Sequence, residues 1–365
     1  MNSIRLCKIE FLRNLNNIEN YIIYLEEQNR LFEKMDMNNA FLKDMNMYEI
    51  KKRYVEIVNT PVTYNAIIIS LYGCYESYVD KLADLLLDHW ASTIKSYEDL
   101  SAKLKNKHIK KSGEFLTHPR RFRNYELNEK NVIENLYFCL NNEKNFTLNK
   151  ELLLTHSGNL GIDQLLEFFS DLGLDNCKSK ILSNTKYIEF ICNKYEMSQD
   201  SARNFIDSKN KQADNKLFDE LSLLIEQRNK VAHGWCVDNR LSYNSFKDKI
   251  IPFMKMLGCV LSDIFDEEFV NVLRQANLLY KFDKPIKVIN KRILCINSKT
   301  ANLKTNGYIY VYNGKKYISL NIIELQQNRT KVEEIRGGNQ DIGIEVDVDI
   351  KDNWEFFFFF LKIRI

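Results

Sequence analysis

The chain has 365 residues, of which 45% are hydrophobic, 28% charged and 12% aromatic, with only 12 glycines and 4 prolines. That composition excludes a disordered or collagen-like protein, and the length allows two domains, each able to bury a core. A net charge of +3, from 52 Lys and Arg against 49 Asp and Glu, excludes a wholly basic histone-like binder and confines any nucleic-acid contact to a local patch. The 8 cysteines lie far apart with no C-x-x-C and no zinc-finger spacing, so they read as reduced, mostly buried thiols. Charge scattered through the first residues gives no signal core, and the longest apolar stretch, Ala66 to Tyr75, is too short to span a bilayer. A cytoplasmic protein with no membrane contact is expected.

From the start to about Tyr280 the apolar residues recur at helical spacing. Leu15, Ile18, Ile22 and Leu25 mark a first amphipathic helix. After Pro61, the positions Tyr64, Ile67, Ile68, Leu71, Tyr75, Tyr78, Val79, Leu82 and Leu86 describe one broad face that continues to about Trp90. Residues 101–125 are basic and polar and read as a loop-like basic insertion. Shorter helices are expected near Asn131, Gly161 and Ser179, and longer ones from Ser198 to Asn229 and from Tyr243 to Leu279. After Pro285 the period changes from 3.6 to 2, with β-branched and aromatic runs punctuated by Asn306-Gly307 and Asn313-Gly314. The fold class is therefore α+β: a mainly helical bundle over residues 1–283, followed by a small antiparallel β domain over residues 284–365. The short join predicts that the two parts pack against each other.

No phosphate-cradling, dinucleotide, zinc-protease or nucleophile-elbow motif is present, so those chemistries have no support here, and no cofactor is implied. What stands out is Arg228-Asn229-Lys230-Val231-Ala232-His233-Gly234-Trp235 at the end of a long amphipathic helix. Positions five apart differ by about 140° on an unbroken helix, so joint action of Arg228 and His233 within one chain needs the helix to bend or end between them. Gly234 would permit an ending.

This R-N-x-x-x-H stretch resembles the Arg-x4-His motif of the HEPN superfamily of ribonucleases and RNA-binding domains. Leu71 to Tyr78 (LYGCYESY) resembles its second-helix signature with an acidic residue, Glu76. His156-Ser157-Gly158-Asn159-Leu160, followed by Phe168-Phe169 and Leu172-Gly173-Leu174, resembles a segment of the MAE-type HEPN-like nucleases. The resemblance implies a HEPN-like bundle and a metal-independent endoribonuclease. In such an enzyme the ribose 2′-hydroxyl attacks the adjacent phosphate, leaving 2′,3′-cyclic phosphate and 5′-hydroxyl ends. It casts His233 as acid or base, Arg228 as the cation that stabilises the phosphorane, and Asn229 as an orienting group. Glu76 would hold Arg228 by a charge-assisted pair.

It further implies a homodimer, a role in phage defence or as a toxin, and a possible partner or antitoxin protein. HEPN toxins paired with a nucleotidyltransferase antitoxin carry Tyr two residues after the His; Trp235 stands there, which argues against regulation by tyrosine modification.

The same residues admit plainer readings. Arg228 could merely pair with Glu226 or Asp238, and His156 and Asn159 are either supporting groups near the site or a helix cap. Lys230, Arg120, Arg121 and Arg123 are candidate RNA contacts, and the basic run around the last three is otherwise a solvated loop. Glu345, Asp347 and Asp349 alternate and would share a strand face, either as a cation site or, with more weight, as a solvated edge. Phe356 to Phe360 is either a doubly buried strand or a docking surface. A non-catalytic RNA-binding or regulatory module, and a scaffold subunit for a partner nuclease, are the alternative functions.

Overall fold

The structure, a computed structural model, describes residues 2–34, 46–58, 60–122, 127–141, 146–156, 158–210, 216–234 and 239–359. Among the described residues twelve helices come first: α1 (Asn2–Lys34), α2 (Met47–Val58), α3 (Pro61–Thr93), α4 (Ala102–Thr117), α5 (Glu129–Leu140), α6 (Lys150–Leu153), α7 (Ile162–Asp171), α8 (Cys177–Ser183), α9 (Thr185–Tyr195), α10 (Gln199–Asn210), α11 (Asp219–Ala232) and α12 (Ile251–Gln275). A helical turn at Tyr243–Ser245 and a π-helical turn at Phe246–Ile250 lead into α12. The strands are β1 (Leu279–Lys281), β2 (Lys287–Ile289), β3 (Ile293–Asn297), β4 (Leu303–Lys304), β5 (Tyr308–Tyr312), β6 (Tyr317–Gln327), β7 (Thr330–Val332), β8 (Glu334–Ile335), β9 (Asp341–Val346) and β10 (Glu355–Phe359). An α-helical bundle with a small antiparallel β domain is thus the fold, as the periodicity predicts. No helix among the described residues is long and apolar enough to cross a membrane.

Packing divides the chain into two compact units. One comprises residues 6–83 and 154–262; the other comprises residues 1–5, 84–153 and 263–365. In the first, the apolar face of α3 is buried as its spacing requires, with Ile68, Leu71, Val79 and Leu82 fully enclosed. Tyr78 stacks on Phe11 of α1 at 4.3 Å and donates its hydroxyl to the Gly258 carbonyl of α12 at 2.7 Å, tying three helices together.

In the second unit an antiparallel sheet runs in the order β1-β10-β5-β6-β9-β3-β2, with β7 added to β6 and a separate β4-β8 pair. Asn313-Gly314 turns β5 into β6. Phe356 and Phe358 enter the sheet core, while Phe357 and Phe359 pack with Val270 and Leu273 of α12. Phe356 to Phe359 therefore combine both readings, one face buried in the sheet core and the other docked on a helix; Phe360 lies outside the described residues.

Four expectations need correction. The stretch from Ser198 to Asn229 is not one helix: α10 ends at Asn210, and α11 begins at Asp219 after a 3-10 turn at Lys216–Phe218. The basic run is no loop, because Ser101 caps α4 by accepting from Leu104 N–H and the helix buries Leu104, Lys107, His108, Ser112 and Phe115. Its inward stripe includes a histidine and a serine where apolar residues are usual, which hid the period. The last helix stops at Gln275 rather than Leu279: Asn277 takes a left-handed conformation (φ 55°), and Leu279 to Lys281 pair with β10.

The acidic trio does not share a strand face. β9 ends at Val346 and lies between β6 and β3, so it is no edge. Asp347 binds Arg5 and the Asn321 N–H, and Asp349 binds Arg292. Among the described residues no group of three or more His, Cys, Asp or Glu is placed to hold a metal ion.

Candidate active site

The first unit carries the Arg/His motif on α11. Asp219 and Glu220 occupy its first turn, where carboxylates favour the helix dipole, and Leu221, Leu224 and Gln227 form its buried face. Tyr64 of α3 donates to the Gln227 side-chain oxygen at 2.8 Å, pinning the two helices together. The helix is unbroken through Ala232. His233 is its C-cap, donating its backbone N–H to the Asn229 carbonyl at 3.0 Å, and Gly234 follows at φ 69°, a left-handed position that suits glycine.

The helix thus ends between Arg228 and His233, with Gly234 just beyond, but only at its last residue, so the ending does not turn His233 back toward Arg228. Arg228 is half-buried and His233 exposed, with helical geometry separating them by about 140° around the axis.

Arg228 lies over the ring of Tyr72, its guanidinium carbon 5.0 Å from the ring centre, a cation–π contact of about 0.5–2 kcal/mol. The Tyr72 hydroxyl donates to Glu76 Oε1 at 3.3 Å and accepts the Leu160 N–H at 3.1 Å. Burial raises the Tyr72 pKa, with the Leu160 N–H, Glu76 and Arg228 making smaller adjustments, so the phenol stays a donor. Among the described residues no ion pair joins Glu76 to Arg228. Tyr72 stands between them, with its ring under the cation and its hydroxyl on the carboxylate.

Residues 155–156 and 158–161 form the third wall. Gly158 turns at φ 84°, and Leu160 is held by both backbone groups, since Tyr75 donates to its carbonyl at 3.0 Å. Asn159 Nδ2 donates to Asn229 Oδ1 at 2.5 Å, and Arg228 Nη1 lies 3.4 Å from the same oxygen. His156 packs edge-on against Phe168 with its Nε2 3.4 Å from Asp80 Oδ1. The Asp80 carboxylate raises the His156 pKa, burial opposes this, and the negative charge of Glu76 adds to it.

Nδ1 of His156 is buried without a hydrogen-bond partner among the described residues, as is Oδ1 of Asp80, whose 3.4 Å contact with His156 Nε2 is an ion-pair approach rather than an aligned hydrogen bond. The N-cap of α7 is Gly161 with no side-chain cap bond, so neither His156 nor Asn159 serves as a helix cap.

Arg228, Asn229, Asn159 and Tyr72 are thus one contact network, Glu76 joins it through Tyr72, and His156 meets α3 one turn further on. Neither Tyr72 nor Asp80 carries a motif signal of its own, although Tyr72, Glu76 and Asp80 at i, i+4, i+8 define one helix face. Lys230 is paired with Glu226 at 2.5 Å, which removes Glu226 as a partner for Arg228. Arg120 and Arg121 are exposed in the 3-10 turn Pro119–Phe122 of the other unit. Arg123, Trp235 and Asp238 lie outside the described residues.

A family model described as RiboL-PSP-HEPN matches residues 42–271, more than half of the chain. The chain belongs to the RiboL-PSP-HEPN family. Comparison with curated proteins gives no match. The span matched to RiboL-PSP-HEPN contains every site residue from Tyr72 to His233 and ends within α12, before the first strand.

Proposed function

We propose that this RiboL-PSP-HEPN chain is a metal-independent endoribonuclease of the MAE-type branch, acting in the cytoplasm in phage defence or as a toxin. The observation that carries the reading is the presentation of donors at the end of α11: Arg228 held over Tyr72, Asn229 beside it, and His233 exposed at the cap. In the reaction the 2′-oxygen attacks phosphorus, its proton passing to a histidine. The P–O5′ bond then breaks as a second acid protonates the 5′-oxygen. Arg228 supports the charge that builds on the non-bridging oxygens.

One chain offers one such histidine, turned away from its own arginine. A homodimer in which two copies of the motif face one phosphate supplies both proton-transfer groups. Lys230, Arg120, Arg121 and Arg123 are the proposed RNA contacts, and a toxic nuclease of this kind would be restrained by a partner or antitoxin protein.

The test is incubation of the purified chain with total RNA in excess chelator, beside His233→Ala. Cleavage by wild type alone, with RNA affinity retained in the variant, supports the reading. RNA bound and left uncut by both forms identifies a non-catalytic RNA-binding module, and a chain with no RNA affinity points to a scaffold subunit.

A further inference from the structure

The side-chain amide of Asn229 can present either an acceptor or two donors to a ligand, and its neighbours decide which. Arg228 can only donate, so the atom 3.4 Å from its Nη1 must be the Asn229 oxygen. The Asn159 side chain, 2.5 Å from that same oxygen, must then offer its NH₂ group. With its oxygen facing two donors, Asn229 turns its own NH₂ away from them, and no partner among the described residues takes it.

Asn159 is itself firmly placed. The next residue, Leu160, has its N–H on Tyr72 and its carbonyl on Tyr75, and His156 is braced by Asp80 and Phe168. So many attachments on a short segment beside the motif exceed what joining α6 to α7 requires.

We infer that Asn159 is a positioning residue: it fixes the amide of Asn229 as a hydrogen-bond donor toward a phosphate oxygen of bound RNA, beside the guanidinium of Arg228. The inference rests on the ribonuclease reading for the identity of the ligand. A phosphate oxygen only accepts, so an Asn229 amide turned the other way would set oxygen against oxygen.

Two near-isosteric variants separate this role from a structural one. Asn159→Asp can only accept; it draws the Asn229 NH₂ inward and turns the Asn229 oxygen toward the ligand, while keeping a hydrogen bond and hence stability. Asn159→Leu abolishes that short bond and leaves only the long 3.4 Å contact from Arg228 to orient the amide. A structural role makes activity follow stability, with Asp above Leu. Positioning reverses the order in activity alone: Leu loses about threefold and Asp about thirtyfold in cleavage rate, while thermal midpoints rank wild type, Asp, Leu. Repeating the rates at high salt weakens the repulsion that the added charge exerts on incoming RNA, and the reversed order persists.

An Asp variant that cleaves as well as the Leu variant overturns the inference. If wild type cuts no RNA, the ribonuclease reading fails, and the same ranking is measured as affinity for a mixed-sequence 2′-O-methyl oligoribonucleotide. A reversed ranking there upholds the donor role at a binding site; equal affinities, or none, overturn it.

Discussion

Each compact unit contains a histidine cluster, one fully buried and one partly buried, and the two are built differently. In the second unit His108 is fully enclosed: its Nε2 accepts the Asn149 N–H at 3.1 Å, which leaves the proton on Nδ1, 3.1 Å from the Tyr97 hydroxyl. Asn149 in turn donates to Ser112 and to the Val132 carbonyl. Every member has a partner, and burial pushes the His108 pKa down to about 4, so the ring is neutral.

In the first unit His156 faces the carboxylate of Asp80, its pKa is shifted the other way, and a buried atom on each remains without a hydrogen bond among the described residues. A saturated polar cluster fixes a fold, whereas one with capacity left over, beside an arginine and a donor amide, can take a ligand.

The comparison breaks most visibly at its two extremes. Arg228→Ala removes the cation of the open cluster, and cleavage is expected to fall by roughly a hundredfold or more with the fold retained, checked by initial rates and circular dichroism. His108→Ala should do the opposite. Leaving the Asn149 N–H unpaired in a cavity, with the Tyr97 hydroxyl keeping only its long bond to the Lys105 carbonyl, costs about 3 kcal/mol in denaturant unfolding, with activity per folded molecule unchanged.

Acidity sharpens the contrast, because the two rings have opposite signs. The folded pKa of His108 lies below its unfolded value of about 6.5, so its contribution is complete above that pH. It is lost as pH falls toward about 4. The full difference is of order 3 kcal/mol. His156, with a raised folded pKa, contributes fully below about 6.5 and loses its contribution as pH rises through the folded value. Unfolding curves from pH 4 to 8 for His108→Gln and His156→Gln should each remove one of these slopes. Identical profiles would contradict the pairing described for both rings.

The smallest effect lies outside both clusters. Asn290-Lys291 and Asn328-Arg329 occupy turn positions with positive φ on both residues, where the second position favours glycine. Lys291→Gly and Arg329→Gly should each gain roughly 0.5–1 kcal/mol, read as a rise in thermal midpoint.

The same contrast explains what the sequence displays and what it hides. The face of α3 and the alternation after Pro285 are repeated apolar signals, and both elements form where that spacing places them. The helix α4 was hidden because its inward stripe carries His108 and Ser112, whose burial depends on Asn149, distant in sequence. Arg228, Asn229 and His233 are legible as a motif within one turn and a half of helix. Tyr72 and Asp80 are not, since what makes them part of the site is a cation from α11 and a histidine from the segment before α7, 156 and 76 positions further along the chain. The acidic trio misled because alternation alone does not show where a strand stops.

The central claim is that the open cluster on α11 cuts RNA through the ribose hydroxyl. Its most direct test is to map the ends that the wild-type chain generates from total RNA in excess chelator, with His233→Ala in parallel. The account predicts 2′,3′-cyclic phosphate and 5′-hydroxyl ends from wild type and no new ends from the variant. Ends bearing 5′-phosphate, or equal cutting by the variant, would contradict it.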